Sequence, residues 1–360
     1  YAKAEMRGKV GVNGQLHAWF VDIGRYASMN GSSIALHSHH ANIDGDINGL
    51  KAVRIDSAVA GWPTSNNDKI SPSSSSTIAP VINIIYRNKR CTMPEGPEVK
   101  RISEKLSRFI VGEKITSVDI LSGRYLKHGP PDGFEDFARS LPATVTNVNC
   151  KGKFIYVLFD NGYSLWNTLG MAGSWSPIPT KHSRVKLNFK EGSAYFNDIR
   201  NFGTVRVSRD SSKLKEKLDS LGPDMLAENV THAEFTSRIM KKSRKTIAEA
   251  IMNQSVICGV GNYLKSESLY LAGISPHRVV ETLSPEEMSN LNSAIQCTIR
   301  SSYASGGATI HTFLDFDGEQ GKYNRRFAVY NQKSDIAGNN VVRETTKDGR
   351  TSFWVPELQK

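Results

Sequence analysis

The sequence predicts an α+β fold in which a sandwich or barrel of short β-strands is followed by a group of helices. Between residues 115 and 207, six short runs of β-branched and aromatic residues alternate with Gly, Asn and Asp breaks. After about residue 211, apolar residues recur at helical spacing, and Thr or Ser precedes several of these segments as an N-cap would. A chain of 360 residues is long enough for two or three domains with cores of their own.

Residues 1–92 differ in character from the rest of the chain. They contain a serine-rich tract at residues 71–76 and show little sustained periodicity, which is typical of a linker or a disordered segment. They lack both the Arg-rich, acid-poor character of a transit peptide and the apolar core of a signal peptide. We interpret residues 1–92 as a low-complexity extension that is absent from the mature protein, with translation starting at Met93. A genuine extension, either cleaved or retained, is the alternative.

A helix is predicted directly after this extension. Pro97 suits a first helical turn, Val99, Ile102, Leu106 and Phe109 follow at helical spacing, and Gly112 comes after the last of them. We expect one face of this helix to pack on a core. The positive end of the helix would then hold residues 93–95.

The remaining elements follow in order. Strands are expected over Ile115 to Leu121, Val145 to Cys150, Phe154 to Phe159, Ser164 to Trp166, Val185 to Phe189 and Thr204 to Val207. Helices are expected over Leu214 to Leu218, Ala233 to Met240, Thr246 to Met252, Tyr263 to Ala272 and Pro285 to Ser302. The glycine-rich turn Cys258-Gly259-Val260-Gly261-Asn262 leads into one of these helices. Backbone N–H groups at such a helix start can bind phosphate, although a Gly-x-Gly turn between packed helices is more often structural.

Charge and cysteine content narrow the class of protein. The chain has 46 Lys and Arg against 35 Asp and Glu, and most of the basic excess lies after Met93. This balance favours a polyanionic partner, which could be DNA, RNA or an anionic membrane surface. No apolar run is long enough to span a bilayer, so no membrane segment is expected. The four cysteines are scattered without a C-x-x-C pair, which favours a reduced compartment.

The segment Met93-Pro94-Glu95-Gly96-Pro97-Glu98-Val99 carries the most specific chemistry. A free α-amine has a pKa of about 7.7 to 8.0, so part of it is neutral and nucleophilic near pH 7. A terminal proline amine forms a charged iminium with an electrophilic carbon, and Glu95 beside it could carry protons. A proline nitrogen within a peptide bond cannot do this, because its lone pair is delocalised. The chemistry therefore requires a chain that begins at Pro94.

This segment resembles the N-terminus of the formamidopyrimidine-DNA glycosylase and endonuclease VIII family of base-excision repair enzymes. The resemblance covers Met93 to Lys360 and includes the family's helix-two-turns-helix module, matched over Met252 to Arg278, where Glu267 stands at a family glutamate position. The other matching segments are Cys150-Lys151-Gly152-Lys153-Phe154, Leu169-Gly170-Met171-Ala172-Gly173, Asp198-Ile199-Arg200-Asn201-Phe202-Gly203 and residues 349–359.

The resemblance implies a role for each matched residue. Pro94 would attack C1′ of a flipped nucleotide, Glu95 would supply protons, and Glu98 and Lys153 would support the sugar and phosphates. DNA-binding residues would be Lys153, Asn262 and Arg350 on the backbone, with Met171, Arg200 and Phe202 filling the gap in the duplex. Without the resemblance, Lys153 and Arg350 would be ordinary solvated side chains, and Met171 and Phe202 would be core residues. Asn201 departs from the arginine that is more usual in the family, which puts one expected phosphate contact in doubt.

The C-terminus resembles a zinc finger that has lost its ligands. Val355 and Leu358 stand where the family's last two cysteines belong, and the earlier pair expected after Val329-Tyr330 is missing. A tetrahedral zinc site needs those ligands, so no metal is expected. The apolar replacements indicate a hairpin held by packing, as in the zincless-finger branch related to the endonuclease VIII-like enzymes.

Taken together, the resemblance implies a bifunctional DNA glycosylase and abasic-site lyase that removes oxidised bases by β,δ-elimination. Oxidised pyrimidines and further-oxidised guanine products are the expected substrates, and the segment from Gly307 to Tyr323 would bear on that choice. We expect the protein to be a monomer that needs no cofactor. Its partner would be damaged DNA, duplex or single-stranded, in the nucleus or another DNA-containing compartment. The expected domains are a β-sandwich over 93–210, a helix-two-turns-helix domain over 211–310 and a zincless finger hairpin over 311–360.

Two other classes of function stay open at this stage. If Pro94 stays inside the chain, the protein would be a damaged-DNA-binding protein without lyase activity. The helical module alone could instead serve RNA or another nucleic-acid assembly.

Overall fold

A computed structural model of the protein describes residues 93–308, 316–318 and 321–360, together with six short strands within residues 1–92. The chain forms two compact units, Tyr1–Lys89 and Arg90–Lys360. The first unit contains three antiparallel strand pairs, where the sequence predicted a linker, and the serine tract lies outside the described residues. Its strands are β1 Glu5–Val10, β2 Leu16–Asp22, β3 Ser28–Met29, β4 Ser32–Ser33, β5 Val53–Ile55 and β6 Ile82–Ile84.

The second unit opens with helix α1, Gly96–Ile110, as the sequence predicts. Glu95 is its N-cap and forms a reciprocal capping box with Glu98, while Pro97 lies in the first turn, where its missing N–H costs no hydrogen bond. The predicted apolar face is confirmed, because Val99, Ile102 and Leu106 are fully buried. The helix is thereby fixed against the sheets, and its first turn presents the carboxylates of Glu95 and Glu98.

Two antiparallel sheets follow, and they confirm the predicted sandwich. The strands are β7 Lys114–Ile115, β8 Ser117–Ile120, β9 Ala143–Lys151, β10 Phe154–Phe159, β11 Ser164–Thr168, β12 Gly173–Ser176, β13 Ser183–Phe189, β14 Gly192–Asp198 and β15 Thr204–Ser208. A five-stranded sheet has the order β15-β11-β10-β9-β7, and a four-stranded sheet has the order β12-β14-β13-β8. The inner faces of both sheets and the apolar face of α1 form one hydrophobic core.

The structure differs from the prediction at several elements of this region. The single strand expected over 115–121 is two short strands, β7 and β8, which belong to different sheets. Strands β12 and β14 and the short helices α2 Arg124–His128 and α3 Phe134–Arg139 were not predicted. Strand β14 was missed because polar residues surround its buried Ala194 and Phe196. One of those polar residues, Asn197, is itself buried and accepts a hydrogen bond from Ser183 Oγ at 2.6 Å.

All five predicted helices of the later region are present. They are α4 Ser211–Asp219, α5 His232–Met240, α6 Ile247–Met252, α7 Asn262–Leu271 and α8 Pro285–Ala304. The side chains of Thr231, Thr246 and Ser284 accept N–H groups of the first turns of α5, α6 and α8, as N-caps do. Helices α5 to α8 share a second hydrophobic core with residues 323–355, whereas Leu214 of α4 packs with Phe154 and Trp166 in a separate cluster. Among the described helices, none combines the length and apolar composition that a membrane crossing requires.

A two-stranded hairpin, β16 Val342–Thr345 and β17 Thr351–Trp354, closes the chain. The packing expected at the lost ligand positions is confirmed at Val355, which is fully buried in the second core, and is wrong at Leu358, which is 47% exposed. Polar contacts replace packing there: Gln359 accepts the Val355 N–H at 2.8 Å and donates to the Ile274 carbonyl at 2.8 Å. Within the described ranges no cluster of three or more His, Cys, Asp or Glu side chains is arranged to hold a metal.

Candidate active site

Glu95 lies where the start of α1 meets the start of α7. Its side chain is buried, and its carboxylate accepts the backbone N–H groups of Tyr263 at 2.9 Å and Leu264 at 3.3 Å. The positive end of α7 therefore faces the carboxylate. A Cβ at Gly261 would lie 2.2 Å from Glu95 Cδ, so only glycine permits this approach. The glycine-rich turn is thus structural, since the two N–H groups that could have bound phosphate bind Glu95.

Glu98 connects three parts of the second unit. Its buried carboxylate accepts the N–H of Glu95 at 2.8 Å, the N–H of Ala308 at 2.6 Å and the hydroxyl of Tyr263 at 3.0 Å. A Cβ at Gly307, whose φ is +86°, would lie 2.7 Å from Glu98 Oε1. Glu98 thereby holds the turn that carries Glu95 against α7 and against the segment after α8.

Both carboxylates have strongly raised pKa values. Burial raises the pKa of Glu95 to about 7, although Lys153 lowers it and the negative charge of Glu98 raises it further. Burial also raises the pKa of Glu98 to about 7, against the lowering effect of its backbone hydrogen bonds. A carboxyl group with a pKa near neutrality can both donate and accept a proton under physiological conditions.

Lys153 supplies a positive charge beside these carboxylates. It follows the turn between β9 and β10, where Gly152 has φ +56° and its N–H donates to Asp224 Oδ2 at 2.8 Å. A Cβ at Gly152 would meet Cys258 Sγ at 2.7 Å, so this turn packs tightly on the turn before α7. Burial lowers the pKa of Lys153, and the charges of Glu95 and Glu98 raise it. Lys153 therefore interacts electrostatically with both glutamates.

The hairpin turn brings Arg350 to the same place. Arg350 is exposed, and its Nη1 lies 4.0 Å from the sulfur of Met93, the residue before Pro94. Asn262, the first residue of α7, donates its Nδ2 to the Thr351 carbonyl at 2.7 Å. Arg350 also acts on the pKa of Lys153, which it lowers. The structure thus brings together Glu95, Lys153, Asn262 and Arg350 around the Met93-Pro94 bond.

A buried ion pair anchors the turn that carries Arg350. Lys265 Nζ lies 2.6 Å from Asp348 Oδ2, with the two side chains 0% and 4% exposed. The other carboxylate oxygen of Asp348 accepts the Arg350 N–H at 3.1 Å and the Thr346 hydroxyl at 2.6 Å. Lys265 is one turn of helix after Asn262, so one face of α7 contacts the hairpin turn at both residues.

Met171, Arg200 and Phe202 lie on two loops that pack against each other. A Cβ at Gly170 would lie 2.6 Å from the Phe202 carbonyl carbon, so the two backbones are in close contact. Phe202 is 54% exposed, and the Arg200 guanidinium lies 5.2 Å from the centre of its ring. Met171 is only partly buried. The core interpretation of Phe202 is therefore wrong, and the three side chains belong to one accessible surface.

The loop with Arg200 has an anchor of its own. Asp198 is buried and accepts the Arg200 N–H at 3.0 Å and the Gly203 N–H at 2.6 Å. Arg184 donates its Nε to the Asp198 carbonyl at 2.7 Å and its Nη1 to Ser122 Oγ at 2.7 Å. Hydrogen bonds inside the loop 199–203, together with those from Arg184 of strand β13, thus fix its position.

Sequence reasoning missed several residues of this site. Tyr263, Lys265 and Asp224 make contacts with partners far away in the chain, so neighbouring residues carried no sign of them. One signal was available for Lys265, because it shares a helix face with Asn262 and lies within an otherwise buried helix. Asp224 follows a Gly-Pro pair, which marks a turn but not its partner.

Family models match most of the second unit. Residues 93–205 match the formamidopyrimidine-DNA glycosylase N-terminal domain, and residues 221–314 match the formamidopyrimidine-DNA glycosylase H2TH domain. A formamidopyrimidine-DNA glycosylase from Geobacillus kaustophilus is 30% identical over 277 residues, which cover 74% of this chain and 100% of that protein. The protein of the same name from an Exiguobacterium species is 29% identical over 277 residues, with coverage of 74% and 100%.

Solved structures of similar proteins agree with the fold. The MutM (Fpg) protein from Thermus thermophilus superimposes with a TM-score of 0.66 at 26% identity, covering 74% of this chain and 98% of that chain. A Lactococcus lactis Fpg mutant in complex with Fapy-dG-containing DNA has a TM-score of 0.66 at 25% identity, with coverage of 74% and 100%. The Lactococcus lactis protein with abasic-site DNA has a TM-score of 0.65 at 25% identity, with coverage of 74% and 99%.

Proposed function

The chain belongs to the formamidopyrimidine-DNA glycosylase and endonuclease VIII family, and on this premise we propose that it is a bifunctional DNA glycosylase and abasic-site lyase whose nucleophile is Pro94. Family membership makes the protein a DNA glycosylase that binds damaged DNA. The observation that carries the lyase proposal is a buried Glu95 with a pKa of about 7, one residue after Pro94 and within the field of Lys153. A nucleophilic amine needs a neighbouring proton carrier of this kind.

The proposed reaction begins with attack of the Pro94 amine on C1′ of a flipped, oxidised nucleotide. A bond forms between nitrogen and C1′ as the glycosidic bond breaks, and the departing base takes its electrons together with a proton from Glu95. The bond from C1′ to the ring oxygen then opens with a second proton transfer, which leaves a cationic iminium. The iminium acidifies the 2′ proton, and loss of that proton expels the 3′ phosphate in a β-elimination. Loss of a second proton, from C4′, then expels the 5′ phosphate in a δ-elimination. The carboxylate of Glu98 accepts the backbone N–H of Glu95 and so holds Glu95 in position.

The proposed DNA contacts follow from the exposed and polar groups of the site. Lys153 and Arg350 provide positive charge for phosphates beside Pro94. Asn262 has one Nδ2 hydrogen left, since the other goes to the Thr351 carbonyl. Met171, Arg200 and Phe202 would fill the space of the extruded nucleotide, which offsets a few kcal/mol of unstacking.

For the substrate, we propose oxidised pyrimidines and further-oxidised guanine products, in duplex or single-stranded DNA, with the protein acting as a monomer. This proposal rests on the resemblance of residues 349–359 to the zincless-finger branch. Parts of the segment from Gly307 to Tyr323, at 309–315 and 319–320, lie outside the described residues. Because the relatives include Fpg complexes with Fapy-dG-containing DNA, that lesion is the natural comparison substrate. We retain the division into 93–210, 211–310 and 311–360 as a proposal.

The peptide bond between Met93 and Pro94 favours a second function. In the full chain the nitrogen of Pro94 forms a peptide bond with Met93, so it cannot form an iminium. A chain that keeps residues 1–92 would then bind damaged DNA without acting as a lyase. Lys153, Asn262 and Arg350 do not depend on a free terminus.

Borohydride trapping separates these two functions. We expect a form whose first residue is Pro94, verified by mass spectrometry, to be trapped covalently on DNA with an oxidised pyrimidine, and the full chain to bind without being trapped. Pro94→Gly should reduce trapping, and Glu95→Gln should lose base excision. If the Pro94-start form gives no trapped complex on oxidised-pyrimidine, Fapy-dG or abasic DNA, the lyase proposal is wrong.

The pH dependence of the single-turnover rate tests the role of Glu95. Protonated Glu95 is needed for base release, so the rate of the Pro94-start form should fall as the pH rises above about 7. Lys153 lowers the pKa of Glu95, and Lys153→Gln should therefore move this descending limb to higher pH at saturating protein. Lys114→Gln, which removes an exposed lysine elsewhere, should leave the limb in place. An unmoved limb in Lys153→Gln would argue against Glu95 as the proton donor.

A further inference from the structure

An open cavity of about 600 Å³ lies beside the loop that carries Arg200 and Phe202. Its lining residues are Gly123, Arg124, Lys127, His128 and Asn201. All three titratable side chains of the lining are basic, they are exposed, and they come from helix α2 and its end. In the part of the chain that the structure describes, none of the three pairs with a carboxylate. The cavity therefore presents basic groups without an acidic partner to an incoming ligand.

The cavity borders the loop 199–203. Asn201, which lies between Arg200 and Phe202, has a left-handed φ of +57° and lines the cavity. A Cβ at Gly123 would lie 2.4 Å from Asn201 Oδ1, so the turn before α2 touches this loop directly. Arg184 reinforces the junction, since it bonds both Ser122 and the Asp198 carbonyl. The basic groups and the exposed Phe202 thus have a fixed geometry relative to each other.

The surface around the cavity combines charge with exposed apolar groups. Leu126 is 65% exposed next to Lys127, and Ile199 and Phe202 are 41% and 54% exposed. Interleaved basic and apolar side chains suit a nucleic-acid backbone, whose phosphates take the charged groups and whose sugars contact the apolar groups. Arg124 can offer a phosphate two parallel N–H groups, and Lys127 a point charge.

We propose that Arg124 and Lys127 bind phosphates of the DNA strand opposite the lesion. This inference rests on the proposed function, in which Arg200 and Phe202 occupy the space of the extruded nucleotide. Side chains in that space face the unpaired base of the complementary strand, so the surface next to them lies nearest to that strand. The lesion strand is bound by Lys153, Asn262 and Arg350 at the start of α7 and at the hairpin turn.

The test measures DNA affinity of the full chain as a function of salt. The probe is a duplex with a tetrahydrofuran abasic analogue, which has no base to release, so binding does not depend on a free Pro94. Arg124→Gln/Lys127→Gln should weaken binding and lower the slope of log affinity against log salt by about 2, one unit for each phosphate contact. Both residues are exposed, so the melting temperature should not change.

A matched pair of lysines provides the control. Lys190 lies at the turn between β13 and β14, and Lys114 lies near the same end, because the Thr116 N–H donates to the Asn188 carbonyl. Strand β14 separates that end from Asp198 by about 20 Å. Lys114→Gln/Lys190→Gln removes two charges as well but should leave the salt slope unchanged.

Uncharged methylphosphonates identify the strand. When they replace phosphates of the complementary strand opposite the lesion, the difference between wild type and Arg124→Gln/Lys127→Gln should disappear. When they replace phosphates of the lesion strand, the difference should persist. Wild-type affinity of the double variant, an equal loss in the control, or a difference that disappears only with the neutral lesion strand would each overturn the proposal. Such a result leaves covalent trapping by Pro94 intact, whereas failure of the proposed function would abolish trapping.

Discussion

The turn that carries Arg350 and the loop that carries Arg200 contain the same local hydrogen bond but differ in the other contacts that fix them. In both, an aspartate accepts the N–H of the arginine two residues later, at 3.1 Å from Asp348 and at 3.0 Å from Asp198. Such Asx turns form from local sequence. The two arginines are therefore presented in the same local way, and the difference lies in the partners of the two aspartates.

The carboxylate of Asp348 depends on an ion pair with another element, whereas the carboxylate of Asp198 is bound by N–H groups of its own loop. Burial would raise the pKa of Asp348, but the charge and hydrogen bond of Lys265 hold it below its usual value. Asp198 instead accepts a second N–H from Gly203, and Arg184 bonds the backbone carbonyl of Asp198. The position of Arg350 thus depends on a tertiary ion pair, while that of Arg200 depends on hydrogen bonds within its loop and on the bond from Arg184 to a neutral carbonyl.

The largest expected effect comes from breaking the buried ion pair. Lys265→Met would leave the charge of Asp348 buried without a partner, which should lower the free energy of unfolding by about 3 to 5 kcal/mol. On the other loop, Arg184→Met would leave only neutral groups unpaired, at a cost of about 1 to 3 kcal/mol. Urea unfolding of the full chain measures both values.

A double variant checks the cause of this difference. Lys265→Met/Asp348→Asn removes the uncompensated charge, and Asn keeps an acceptor for the Arg350 N–H, so most of the lost stability should return. Equal costs for Lys265→Met and Arg184→Met, without recovery in the double variant, would show that the two loops are held in the same way.

The same contrast explains how far the sequence could predict the fold. Helix α6 was found because its cap, Thr246, and its apolar residues are neighbours in the chain. Strand β14 was missed because its polar residues are satisfied by partners on other strands. Lys265 would be interpreted as a solvated lysine, since its partner Asp348 is 83 residues away. Local patterns predicted most elements, and the long-range polar contacts stayed hidden.

The candidate site was predictable to a similar extent. Pro94 and Glu95 could be proposed as catalytic candidates because the chemistry of an N-terminal amine is confined to neighbouring residues. The role of the turn before α7 could not be predicted, because the group that occupies its N–H donors is Glu95, 168 residues before Tyr263. Tyr263 was missed for the same reason. The sequence alone could not show which buried donor forms a hydrogen bond with which carboxylate.

The smaller expected effects concern DNA affinity, and they separate the two arginines. Arg350→Gln should lower the salt slope by about 1 on both single-stranded and duplex abasic-analogue DNA, because the proposed function gives Arg350 one phosphate contact. Arg200→Gln should weaken binding to duplex only, because Arg200 is proposed to fill a gap in the duplex that single strands do not have. Under conditions where the Lys265→Met variant stays folded, this substitution should lower the salt slope as much as Arg350→Gln does. When the two substitutions are combined, the slope should be the same as for Arg350→Gln alone. An additional loss in the combined variant would mean that Lys265 acts on DNA binding by a route other than the position of Arg350.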